Sequence, residues 1–356
     1  MASRTPTIGI IANPASARDI RRVVANANNL QTADRVNIVL RVLTALASQG
    51  VEHVLMMPDK SGVRALLARA LKREHNLQHR FPRVEFLDLE PTSTVEDTFQ
   101  AARMMQAAHV SAIVVLGGDG THRAVVRECS DIPIAGLSTG TNNAFPEMRE
   151  PTITALAVAL YANGRIAPAE ALVPNKLLEV AITGHAGRGQ KQPAVRRDVA
   201  LVDAVISTER FTGARALWRP ESLAAVYLTF ADPQAIGLSA IGGLLQPLGR
   251  RDPGGLALQL SEDPQQRRLM VNAPIAPGLV RAVGIAHMEP MVAGRPFVVT
   301  QEAGVVALDG ERELAFDGAD RVTITLREDA FPTVDVARCM QVAARDGLFR
   351  LPSRSH

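Results

Sequence analysis

The segment Ser111 to Arg123, SAIVVLGGDGTHR, constrains the fold more than any other stretch of the chain. Ile113, Val114, Val115 and Leu116 form a short apolar run closed by a turn signal, the pattern of a parallel strand covered on both faces. Gly117, Gly118 and Gly120 provide three positions where the backbone can take a positive φ or approach a ligand closely. Thr121 then opens a helix whose free N–H groups face the turn, a geometry that favours anions. Asp119 repels a bare phosphate, so its carboxylate suits Mg²⁺, a hydroxyl or a water. Without further motifs the same residues also make an ordinary strand-to-helix turn.

The flanking sequence supplies the rest of a parallel sheet. Thr7 to Ala12 is a short apolar strand ended by Asn13-Pro14-Ala15-Ser16-Ala17, because Pro14 cannot continue a central strand. Asn13 and Ser16 lie where ligands of open α/β folds bind, at the carboxyl edge of the sheet. Helical periodicity over Thr32 to Gln49 and Ser61 to Glu74 alternates with strands at Val51–Met57 and Val84–Leu89. Thr94 caps a helix that runs to about Ala108. A strand at Asp131–Leu137 leads into Ser138-Thr139-Gly140-Thr141-Asn142-Asn143-Ala144-Phe145-Pro146, a loop of small polar donors able to hold phosphate or ribose. A helix over Thr152 to Tyr161 completes a three-layer α/β unit.

Beyond Asn163-Gly164 the pattern becomes β-rich. Strands are expected at Leu177–Thr183, Ala200–Ser207, Leu223–Phe230, Leu256–Leu260, Leu279–Ile285, Phe297–Thr300, Gly304–Leu308 and Arg321–Leu326. Pro233 to Leu248 is either a short helix or a loop. His185 to Arg197 is a basic loop, read as solvated surface or as a phosphate clamp over an interdomain cleft. Asp309-Gly310 between Val305–Leu308 and Glu313–Phe316 is a two-residue hairpin turn, and Asp317-Gly318 reads as a second one. Val334 to Asp346 is helical, with Val336, Cys339, Met340 and Ala343 on one side.

Composition narrows the function. Net charge is only +3 with both signs mixed along the chain, which argues against nucleic acid as partner. No apolar run reaches the length of a membrane span, and the N-terminus lacks a signal-peptide core. The two cysteines, Cys129 and Cys339, have neither metal-like nor disulfide-framework spacing. A cytoplasmic location is the expectation.

Three motifs in family order carry a resemblance. GGDGT is similar to the signature of NAD kinases and of the diacylglycerol and sphingosine kinases. GTNNAF over 140–145 is similar to the G-T-x-N-x-F segment of the lipid-kinase branch, and LDGE over 308–311 to its L-D-G-E segment. The chain is thus identified as a member of the ATP-NAD kinase / diacylglycerol kinase-like superfamily, most similar to a bacterial branch associated with acetoin catabolism. The family fold implies an N-terminal three-layer α/β domain with a mostly parallel sheet and a C-terminal β-rich, sandwich-like domain. The expected division is 1–150, joined by a returning segment of about 328–356, and 165–327.

By the same resemblance the chain transfers a phosphate from ATP, carried with Mg²⁺, or from polyphosphate to a hydroxyl acceptor, NAD being one candidate. Asn13, Gly117, Gly118, Gly120, Thr121, Gly140, Thr141, Asn142 and Asn143 would bind the nucleotide. The NAD-kinase analogy makes Asp119 the catalytic carboxylate; the lipid-kinase analogy makes it Asp309. Asp203 occupies the acidic position of an Asn-Glu/Asp pair that binds the dinucleotide in NAD kinases. Val202 replaces its Asn and has no side-chain hydrogen-bonding group. Alternatives are a lipid or small-alcohol kinase, with Ile236 to Leu248 as its only candidate apolar groove, and a non-catalytic nucleotide-binding regulator. Related kinases self-associate, so a homo-oligomer is expected.

Overall fold

A computed structural model describes residues 5–13, 30–76, 81–139, 143–184, 194–208 and 222–351. The N-terminal half alternates β1 (Thr7–Ala12), α1 (Thr32–Ser48), β2 (His53–Met56), α2 (Val63–Asn76), β3 (Arg83–Phe86), α3 (Val95–Ala107), β4 (Ala112–Gly117), α4 (Asp119–Glu128), β5 (Ile134–Ser138) and α5 (Pro151–Ala162). β3, β2, β1, β4 and β5 lie side by side in that order and all pair in parallel. The strands are short and apolar because both faces are covered. Ile8, Ile10, Val114 and Leu116 face α1 and α5, while Ile11, Ile113 and Val115 pack with Met105, Val125 and Val126 of α3 and α4.

Local chemistry fixes the helix starts. The Thr94 hydroxyl accepts from Glu96 N–H at 3.3 Å, as expected of a cap. Asp59 accepts from the backbone of Ser61, Val63 and Arg64 ahead of α2. Glu150 caps α5, with Pro151 at its first turn.

The second half follows a four-residue helix, α6 (Pro168–Ala171), with β6 (Leu172–Thr183), β7 (Val195–Ala200), β8 (Asp203–Ser207), β9 (Leu223–Leu228), α7 (Leu238–Leu245), β10 (Gly255–Leu260), β11 (Leu269–Ala276), β12 (Leu279–Met291), β13 (Pro296–Val298), β14 (Gly304–Leu308), β15 (Glu311–Phe316), β16 (Arg321–Val334) and α8 (Val336–Arg345). β16 joins β5 in parallel, and β6 on β16, β7 on β6 and β13 on β16 continue the sheet by antiparallel pairing. A second, seven-stranded antiparallel sheet runs β11-β12-β10-β9-β8-β14-β15. Leu178, Val180, Ile182, Ile324 and Leu326 of the first sheet pack on Ile206, Tyr227, Val306 and Leu308 of the second, which forms the expected sandwich.

Several boundaries differ from expectation. Ala200–Ser207 is not one strand: β7 ends at Ala200 and β8 begins at Asp203 in the other sheet, so Leu201 and Val202 make the crossing. β11, broken in pattern by Asn272 and Pro274, lies on the sheet edge where Pro is tolerated. Asp317-Gly318 is not a hairpin turn, because β15 and β16 belong to different sheets; the Asp317 carboxylate there accepts from Ala319 N–H. Pro233–Leu248 contains α7, whose Leu238 and Ile241 are buried against the second sheet. Leu244 of the same helix is exposed.

α8 returns to the first half. Val336, Cys339, Val342 and Ala343 join the core formed by α1 and α5, and Cys339 Sγ donates to the Ala171 carbonyl. Its Asp335 cap is joined to Arg251 at 2.5 Å.

Candidate functional site

β1, β4 and β5 end together, and their carboxyl-end residues form one polar cluster. Asn13, the residue after β1, donates from Nδ2 to Thr121 Oγ1 at 3.2 Å, and its own N–H bonds the Leu116 carbonyl. Asn143 donates to Ser138 Oγ at 2.8 Å. The Thr139 N–H reaches the Gly117 carbonyl across the β4–β5 mouth. Asn13, Gly117, Gly118, Asp119, Gly120, Thr121 and Asn143 thus belong to one strand-end neighbourhood. Gly140, Thr141 and Asn142 lie outside the described residues, as do Pro14 to Ala17 and 185–193 of the basic stretch. Val195–Ala200, at that stretch's far end, is strand β7.

The glycines act by close approach rather than by left-handed backbone. Gly118 has φ −94°, and neither Gly117 nor Gly120 has positive φ. A Cβ on Gly117 would stand 2.5 Å from Thr121 Cβ, and one on Gly118 would stand 2.7 Å from Asn143 Oδ1. Helix α4 begins at Asp119, not at Thr121, so the carboxylate sits in the first turn, where the helix dipole favours it.

Asp119 joins the two loops. One oxygen accepts from Ala144 N–H at 2.9 Å and the other from Phe145 N–H at 2.8 Å. The carbonyls of the same two residues accept from Arg250, Phe145 at 2.6 Å and Ala144 in a very short contact. Arg250 belongs to the second half. Its guanidinium lies 4.7 Å from the Phe230 ring centre and 5.5 Å from that of Phe145. Burial pushes its pKa down, against the pull of Glu147, Asp119 and Asp232. The peptide joining Ala144 to Phe145 therefore stands between a carboxylate of one half and a guanidinium of the other, its N–H on Asp119 and its carbonyl on Arg250.

Asp309 enters from the hairpin tip. Asp309 (φ 50°) and Gly310 (φ 79°) are both left-handed, the two-residue turn that Asp-Gly favours. The side chain is fully buried and accepts from Leu201 N–H at 3.0 Å, Val202 N–H at 2.8 Å and Asp203 N–H at 3.3 Å. It thereby fastens the crossing between β7 and β8. Burial, then the Asp203 carboxylate, raises its pKa well above the ordinary range; Arg123 and the Leu201 amide oppose this. Asp203 is itself buried at the start of β8.

Arg123 of α4 is buried between the halves, 3.3 Å from Asp198 and 3.9 Å from Asp309. Arg127 reaches the other Asp198 oxygen at 3.0 Å. Asp119 and Asp309 are thus brought to one interface, close enough for Asp119 to raise the Asp309 pKa. Sequence reasoning missed Arg123, Asp198 and Arg250. Arg123 stood in the motif's own helix, whereas Asp198 and Arg250 carry no local signal. His122, also fully buried, bonds the Gly118 carbonyl through Nδ1 at 2.8 Å; burial lowers its pKa to about 4.

A parallel sheet whose strand ends meet a glycine turn and a helix N-terminus, joined to an antiparallel sandwich, is the fold of NAD kinases. Residues 8–166 match the ATP-NAD kinase N-terminal domain, and 176–329 match the acetoin catabolism protein X C-terminal domain. Among solved structures, yeast NADH kinase complexed with NADH aligns at TM-score 0.50 and 12% identity, covering 99% of this chain and 90% of that one. A diacylglycerol kinase from Bacillus anthracis aligns at TM-score 0.45 and 12% identity, over 94% and 98%. Acetoin catabolism protein X of Cupriavidus necator is 60% identical over 349 residues, 98% of this chain and 95% of that protein. The chain belongs to the acetoin catabolism protein X family.

Proposed function

We propose that this protein is a kinase-type phosphotransferase that moves a phosphate from ATP or polyphosphate to a hydroxyl acceptor. The observation that carries this reading is the convergence of Asn13, Thr121 and Asn143 with the Asp119 carboxylate at the ends of three neighbouring parallel strands. Neutral amide and hydroxyl donors beside a helix N-terminus suit phosphate oxygens. No group of three or more His, Cys, Asp or Glu suited to a metal occurs among the described residues, so Mg²⁺ would be held mainly by the nucleotide's own phosphates. Its charge would neutralise the transferring group.

In the reaction the acceptor oxygen forms a new bond to phosphorus. The bond from phosphorus to the bridging oxygen breaks, ADP leaves, and the hydroxyl proton passes to a carboxylate. Asp119 is the better placed of the two candidates, because Asp309 is sealed under the β7–β8 crossing. The amides of Ala144 and Phe145 orient Asp119, and the main contribution is positioning. NAD is the first acceptor to test, although Val202 has no polar side chain and its backbone N–H is already held by Asp309.

The protein incubated with ATP, Mg²⁺ and NAD, and separately with polyphosphate and with small alcohols, should yield a phosphorylated acceptor. Asp119→Asn should lower turnover by about 10²–10⁴-fold with the fold intact. Unchanged turnover in that variant removes Asp119 from the chemistry. The double engagement of Asp119 by amides favours a second reading, a nucleotide-binding regulator without turnover. Saturable ATP binding with no product in any acceptor screen would establish it.

A further inference from the structure

β5 and β16 register through the single pair Ile134–Thr333, whereas β16 and β6 match from Arg321–Thr183 to Val334–Leu172. Where β5 and β16 part lies a cavity lined by Gly136, Phe145, Arg149, Asn175, Arg250 and Thr333. Its room for the centres of water-sized atoms is about 60 Å³. One buried water needs roughly 10–15 Å³ on this measure, so the space suits a few waters or one small ion.

The lining carries a net positive charge. Arg149 is neutralised by Glu147, which accepts from its Nε at 2.8 Å and its Nη2 at 2.5 Å. Arg250 has no such partner: its hydrogen bonds go to two carbonyl oxygens, and no carboxylate of the described residues lies within ion-pair distance. A guanidinium has five N–H donors, and those two bonds leave donors to spare. Glu147, Asp119 and Asp232 act on it only from beyond contact; a largely buried cation with no carboxylate touching it is costly, and a bound anion relieves that cost. Asn175 and Thr333, bonded to each other at 3.0 Å, add neutral polar groups to the opposite wall.

We propose that this cavity binds a small oxyanion, a carboxylate or inorganic phosphate, through Arg250, and that occupancy is felt at Asp119. Arg250 grips the carbonyls of the same two residues whose N–H groups hold Asp119, and the peptide between Ala144 and Phe145 bonds both side chains. An anion that draws on the guanidinium shifts that peptide and with it the carboxylate. The binding claim stands independently of the proposed activity, whereas the effect on Asp119 rests on it.

The test titrates the full chain calorimetrically with acetate and, separately, with inorganic phosphate, each with and without saturating ATP and Mg²⁺. The expected result is one saturable site for at least one anion, retained in the presence of nucleotide and weakened tenfold or more in Arg250→Gln. Preference for acetate or phosphate tells the two sources apart. Should Arg250→Gln fail to fold, Arg149→Gln replaces it: Glu147 is then unneutralised at the wall, and affinity should fall several-fold. Anion binding that ATP abolishes, or that survives both substitutions unchanged, or that is absent up to 20 mM (roughly 2.3 kcal/mol of binding free energy), overturns the proposal. Loss of ATP turnover with retained anion binding would sink the kinase reading alone.

Discussion

His122 shows how a single buried side chain sets a pH limit. Its ring is sealed between Gly136 and Phe145, and a Cβ on Gly136 would come within 2.7 Å of Nε2. With a pKa near 4 the folded protein keeps the imidazole neutral, while the unfolded chain takes up a proton near the ordinary value of 6.5. Between those values the unfolded state binds more protons, so stability falls as pH drops from about 6.5 and the loss is complete near 4. The full difference is up to about 3 kcal/mol. Urea unfolding at a series of pH values should show this slope in the wild type, and His122→Gln should lack it. At this scale the sequence was partly legible. GGDGT marked the strand-to-helix turn, but left its glycines open between positive φ and close approach, because the crowding by Thr121 and Asn143 depends on atoms in the next turn and the next loop.

The hairpin of β14 and β15 makes the same point for elements. Asp-Gly between two apolar runs was readable because a two-residue turn is local chemistry. Gly310→Ala, at φ 79°, should lower stability by about 1 kcal/mol, measurable as a shift in the denaturation midpoint with unchanged slope. A drop of several kcal/mol would mean that the Asp309 seat is lost as well. The β7–β8 crossing was not readable. Ala200 to Ile206 is uniformly apolar apart from Asp203, and what divides it is a carboxylate over 100 residues away, accepting from its amides. Strand β16 was likewise cut short at Leu326, since the charged Arg327-Glu328-Asp329 interrupts the alternation. Asp329 takes a positive φ at the register shift between Arg327 and Phe331.

In the whole molecule, the two sheets are bound into one cooperative unit. β16 and β6 continue the parallel sheet into the sandwich, and Arg123 is buried against Asp198 and Asp309 from the other side. Heat denaturation should therefore give a single transition, with calorimetric and van't Hoff enthalpies in agreement. Asp198→Ala removes one carboxylate from the buried Arg123 and should lower the stability of that one transition by about 3–5 kcal/mol. Separation into two transitions would show that the halves are joined less firmly than the shared sheet implies. The α/β-plus-β architecture was legible from periodicity and motif order. The Arg250 contact was not, because Gly249-Arg250 has no pattern of its own and gains meaning only beside Ala144 and Phe145.

The return of α8 to the first half has a consequence during synthesis. Cys339, Val342 and Ala343 cover a face of α5 that leaves the ribosome some 180 residues earlier, counting from Ala162 to Cys339 at about 177. Until α8 has been made, that greasy flank lacks part of its native cover. The nascent protein must therefore wait for α8, and chaperone holding in that interval would protect the part of the molecule made earlier.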